Sequence, residues 1–98
     1  MKKTALIVGM AKSGISSAKL LYRNGYNVII NDIKPVIPGL EEALSGIEYT
    51  DKLGEAPETL LDGVDLMIIS PVIPIFAPFV RKAQILCMLV VIFAAGQN

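Results

Sequence analysis

The chain has 98 residues, nine Lys plus Arg against nine Asp plus Glu, and no His. Zero formal charge without a basic run gives nucleic acid or an anionic membrane no footing as a partner. The lack of His removes the Ser-His-Asp arrangement, the imidazole base and the usual zinc ligand, and a single Cys closes no intramolecular disulfide.

Met1, Lys2 and Lys3 precede an apolar stretch that Gly9 ends, shorter than the roughly 7–15 residues of a signal-peptide core. The run 85–95 is too short for the roughly 20 residues of a bilayer span. Both observations predict a cytoplasmic chain. Cys87, inside that second run, reads as a small buried hydrophobe.

Thr4 to Val8 is a β-rich apolar run, the pattern of a central parallel strand covered on both faces. Behind it Ile15, Ala18, Leu21 and Tyr22 recur at helical spacing, and Asn24-Gly25 ends that helix. Asn27 to Asn31 supplies a second strand, which completes a βαβ unit. Residues 33–39 read as a loop and 40–44 as a short helix with Glu41 and Glu42 at its favourable end. Ile47 to Tyr49 reads as a weak edge strand, 51–58 as a polar loop and 57–61 as one or two helical turns. Asp65 to Ile69 is a buried strand, 77–86 a helix and 88–93 a last strand. Alternating strands and helices of this kind predict an α/β domain, a parallel sheet between helical layers, over the whole of 1–98.

Ligands of such sheets gather at the carboxyl ends of the strands, which here means loops 9–14, 32–34 and 70–74. The first is a small-residue turn running into a helix, so it offers free backbone N–H groups and the positive end of a helix dipole to a phosphate. It reads Gly9-x-Ala11-x-x-Gly14, with Ala where the dinucleotide fingerprint has its middle Gly. The extra methyl weighs against tight wrapping of NAD. Lys12 offers a charge and Ser13 a hydroxyl. Asp32, eighteen residues beyond Gly14, stands near the place of the ribose-binding acid, where its charge disfavours a 2′-phosphate; a helix- or turn-capping acid is the other reading of it. Lys34 adds a positive charge two residues on. No Walker A sequence occurs, no acid or Cys cluster has metal-ligand spacing, and no catalytic residue is assigned.

Together the three loops resemble the N-terminal domain of the Mur ligases, in particular those that add D-glutamate to UDP-N-acetylmuramoyl-L-alanine in peptidoglycan synthesis. The resemblance rests on Val8-Gly9-Met10-Ala11-Lys12-Ser13-Gly14-Ile15-Ser16, Asn31-Asp32-Ile33-Lys34-Pro35 and Ser70-Pro71-Val72-Ile73-Pro74, with Phe79-Val80-Arg81-Lys82-Ala83 behind them. It implies a three-layer, incomplete Rossmann-like domain with a five-stranded parallel sheet ordered 3-2-1-4-5. It also implies a uridine diphosphate site made by Gly9, Lys12, Ser13, Gly14, Asp32, Ile33, Lys34, Ser70, Pro71 and Val72. In that family ATP and magnesium belong to the central domain and the amino acid to the C-terminal domain, neither of which matches these 98 residues, so this chain alone is expected to be inactive.

The family pattern has Gly where this chain has Val72, and an acidic segment where it has the apolar tail beyond Gln84. Val72 adds a side chain beside the nucleotide, and the tail provides a surface for self-association. Two other readings of the same residues stand beside the ligase domain. One is a Rossmann-like module that binds NAD or another nucleotide; the other is a non-binding domain that self-associates through the tail.

Overall fold

The computed structural model describes residues 2–69, 78–85 and 89–92, with backbone only for Phe79 and Leu89–Ile92. Loop 70–74, Cys87 and most of the apolar run 85–95 lie outside the described residues.

β1 (Thr4–Val8) leads into α1 (Lys12–Arg23) and β2 (Asn27–Asn31). α2 (Leu40–Ala43), β3 (Thr50–Asp51), a single 3-10 turn at Pro57–Thr59 and β4 (Leu66–Ile69) follow. α3 (Pro78–Ile85) and β5 (Leu89–Ile92) complete the described chain. The sheet is parallel, with β3, β2, β1 and β4 side by side in that order. Val8 pairs with Asn31 on one side and with Ile69 on the other, so the carboxyl ends of three strands finish level. The backbone of β5 lies parallel to β4, with Leu66 opposite Leu89 and Ile69 opposite Ile92.

Strand periodicity sorts the apolar residues onto two faces. Ala5, Ile7, Val28, Ile30, Leu66 and Ile68 join Ala18 of α1 and Leu40 of α2 in one core. Leu6, Val8, Met67 and Ile69 face the other way and meet Leu61, Val64, Val80 and Ala83. Leu6, Ile7, Met67 and Ile69 are fully buried, as strands covered on both faces require. Helical elements therefore cover both sides of the sheet.

α1 presents small residues to the sheet: its buried positions are Gly14, Ser17 and Ala18. The buried Ser17 hydroxyl is satisfied by the carbonyl of Ser13 at 2.8 Å. At its far end Gly25, with φ +88°, donates to Tyr22 O while Tyr26 donates to Leu21 O, a Schellman closure. The βαβ connection read from the sequence is thus present, and its boundaries agree closely.

One element is displaced from its expected place. The edge strand predicted at 47–49 lies at Thr50–Asp51, where Ile29 pairs with Thr50 and Ile30 with Asp51. Ile47 and Tyr49 instead pack, half-buried, against the core on the α1 side. Their apolar character serves packing rather than the strand ladder. Asp65 also falls outside β4: its carboxylate accepts from Thr4 N–H at 2.9 Å, and its own N–H donates to Thr4 O. Asp65→Ala is expected to lose about 0.5–1 kcal/mol, one net hydrogen bond at an exposed position. A denaturant midpoint series with unchanged slope checks this.

Candidate functional site

The site is built where β1 and β2 end side by side. Gly9 leaves β1 with φ +103°, a backbone conformation that favours glycine, and donates to Asn31 O at 2.8 Å. The chain turns through Met10, whose side chain is buried, and enters α1 directly. Gly14 sits in the first turn of α1 against the turn it has just left. A Cβ there would overlap the carbonyl oxygen of Gly9 and crowd Met10 Cε. The close approach of helix to strand end therefore demands glycine at both 9 and 14.

The beginning of α1 is open. Ala11 is its N-cap and supplies no side-chain cap, and no acid stands in the first turn. The leading N–H groups of a helix have no intrahelical acceptor, and among the described residues no side chain caps them, which leaves them open to water or to a bound anion. Lys12 is exposed on the rim and Ser13 half-buried behind it.

Asp32 is placed beside this turn, with its carboxylate already engaged. Oδ2 accepts from Met10 N–H at 2.7 Å and Oδ1 accepts from Lys34 N–H at 3.1 Å. A carboxylate that accepts two backbone N–H groups ties the first loop to the second by charge-assisted bonds. Its oxygens retain further lone pairs, so this clamp leaves room for a ligand hydroxyl. The sequence spacing pointed to a ribose acceptor and gave no sign of the cross-loop tie. Ile33 beside it is 88% exposed and Val36 75%, an apolar lip on the second loop.

The predicted residues Gly9, Lys12, Ser13 and Gly14 thus stand together with Asp32, Ile33 and Lys34 at adjacent strand ends. Ser70, Pro71 and Val72, predicted to complete the site, lie outside the described residues. Sequence reasoning missed Asn31, fully buried at the end of β2, and the turn 52–55 that it holds. A polar residue closing an apolar strand was the available signal.

A groove of about 470 Å³ lies nearby, lined by Pro35, Leu40, Tyr49 and Leu53 among others. Glu41, Glu42 and Asp51 also line it, the wrong sign for a diphosphate, so an anion is better served at α1. Among the described residues no group of three or more acids or Cys could hold a metal ion, and no helix is long and apolar enough to cross a membrane.

A parallel sheet with helical elements on both faces and a glycine-lined strand-to-helix turn at its carboxyl edge defines the doubly wound α/β class. Within it, the chain belongs to the family described as the Mur ligase MurD-like, N-terminal domain, whose model matches residues 3–91. It is 45% identical over 86 residues to the UDP-N-acetylmuramoylalanine–D-glutamate ligase of Enterococcus hirae, a match covering 84% of this chain and 18% of that protein. The ligase of the same name from Shouchella clausii is 42% identical over 87 residues, again with 84% and 18% covered. That of Clostridioides difficile is 37% identical over 88 residues, with 84% and 19% covered. The chain spans about a fifth of the length of the curated relatives it matches.

Proposed function

We propose that this chain binds the uridine diphosphate end of UDP-N-acetylmuramoyl-L-alanine, as the N-terminal domain of a cytoplasmic ligase that joins D-glutamate to that substrate. The observation that carries the reading is the uncapped start of α1, packed through Gly14 against the Gly9 carbonyl, with Lys12 exposed on it and the Asp32–Lys34 segment tied beside it through Met10 N–H. Membership of the family supplies the nucleotide, since the relatives are named for a UDP-linked substrate. In this reading 1–98 belong to one three-layer, five-stranded Rossmann-like domain ordered 3-2-1-4-5.

The roles follow from chemistry. The N–H groups of Lys12, Ser13 and Gly14 donate to diphosphate oxygens, and the helix dipole favours their charge. The Lys12 and Lys34 ammonium groups neutralise the same charge from the rim. Asp32 holds the two loops together and accepts from the nucleoside, while Ile33 offers apolar contact to its base. The family resemblance assigns Ser70, Pro71 and Val72 to the nucleotide as well. ATP and magnesium serve the ligation step of the whole enzyme, and no residue of this chain is assigned to them.

Amide chemical-shift mapping with UDP tests the location. Shifts are expected at Lys12, Ser13, Gly14 and 32–34; shifts confined to the groove beside α2, or none at millimolar UDP, would refute it. Lys12→Ala is expected to weaken UDP about two- to fivefold at low ionic strength, because an exposed charge contributes modestly. That difference shrinks as salt is added. Paired titrations at two salt concentrations check it.

A further inference from the structure

We infer that the turn 52–55 is a positioning element of the site, latched from inside by Asn31. The inference rests on the proposed site for its ligand, but its geometry stands apart from that reading.

Asn31 is wholly buried at the carboxyl end of β2. Its Nδ2 donates to Lys52 O at 2.9 Å and to Glu55 O at 2.8 Å, and among the described residues its Oδ1 meets no hydrogen-bond partner. A buried acceptor left unsatisfied is unfavourable, and an apolar side chain at this place would avoid it. What the amide contributes is the pair of donations, which fastens both ends of one turn to one side chain. The turn is further held by Lys52 N–H to Ile30 O at 3.0 Å and by Gly54 N–H to Asp32 O at 2.8 Å.

From there the turn bears on the site. Gly54 has φ +80°, and a Cβ on it would lie 3.0 Å from Pro35 Cβ and 3.2 Å from Pro35 Cα. The turn therefore sits flush against the residue that follows Lys34. Segment 32–35 is fixed on one side by this contact and on the other by the Asp32 carboxylate, which also holds Met10 N–H. A change at Asn31 or Gly54 is transmitted through Asp32 to the turn at the start of α1. Neither residue is among those assigned to the ligand, so both act as positioning residues.

The test is amide hydrogen exchange on the full chain and on Asn31→Ala. Gly54 and Met10 amides are expected to exchange about tenfold faster or more in the variant, with Leu6 and Ile68 unchanged, as for a local opening. Acceleration at Gly54 alone, or at neither amide, overturns the inference. Should Asn31→Ala fail to fold, Gly54→Ala presses on Pro35 from the surface, and Met10 exchange at the wild-type rate then overturns it. In a UDP titration Gly54→Ala should bind about fivefold more weakly, a change near 1 kcal/mol; equal affinity counts against the inference. Absence of UDP binding by the wild-type chain would remove the proposed function, while Met10 exchange would still decide this one.

Discussion

Gly14→Val is expected to lower stability by about 3 kcal/mol, the scale of overpacking at a site that cannot relax. For a domain of this size that corresponds to a fall in melting temperature of roughly 12–24 °C. The clash is with backbone: the new Cβ meets the Gly9 carbonyl, so no rotamer change relieves it. Gly9 in turn is fixed by its positive φ and by its bond to Asn31 O. Helix propensity works the other way, since Gly→Ala inside a helix is ordinarily favourable by about 1 kcal/mol. Gly14→Ala is therefore expected to lose about 2 kcal/mol despite the better propensity. A thermal melt of both variants beside wild type checks the order. A melting temperature for Gly14→Ala at or above wild type would show that α1 does not need to lie this close to the strand end.

Asp32→Ala is expected to weaken UDP about tenfold or more and to lose about 2 kcal/mol of stability, because two backbone donors lose a charged acceptor at once. Met10 N–H is the more consequential of them, as its bond is the shorter and less exposed. Asp32→Asn separates the two roles assigned to the residue. Its single amide oxygen serves one of the donors, and the NH₂ group faces the other. If the clamp between the loops governs affinity, Asp32→Asn weakens UDP and inorganic pyrophosphate alike. If contact with the nucleoside governs it, only UDP weakens. Titrations of both ligands into the two variants, with melts run in parallel, read this out; unchanged UDP affinity in Asp32→Ala would remove the residue from the site.

The central sheet was legible because its strands are uninterrupted apolar runs, each closed by a polar residue or a loop. β1 and β2 have the bounds that Thr4–Val8 and Asn27–Asn31 predict, and the helix between them ends at the glycine that closes it. The edge was not legible. Ile47 and Tyr49 carry the apolar signal there, yet the pairing falls on the polar Thr50–Asp51, since the position of a two-residue edge strand follows its neighbour and not its own composition.

The site divides the same way. Gly9 and Gly14 could be read from sequence because a turn from strand into helix selects glycine for reasons local to the chain. Asp32 could be placed by spacing, but not its partners. Its tie to Met10 exists because parallel pairing sets Val8 beside Asn31, and so the residues that follow lie side by side. The role of Asn31 is further from sequence still. It depends on carbonyls twenty-one and twenty-four residues away, at an edge whose register the sequence did not fix.

In the proposed function a uridine diphosphate group occupies the opening of α1. Calorimetric titration of the chain with UDP-N-acetylmuramoyl-L-alanine, UDP and NAD tests it most directly. Saturable one-to-one binding of the first two, each tighter than NAD, is the predicted result; no heat at millimolar UDP-N-acetylmuramoyl-L-alanine, or tighter binding of NAD, would contradict it.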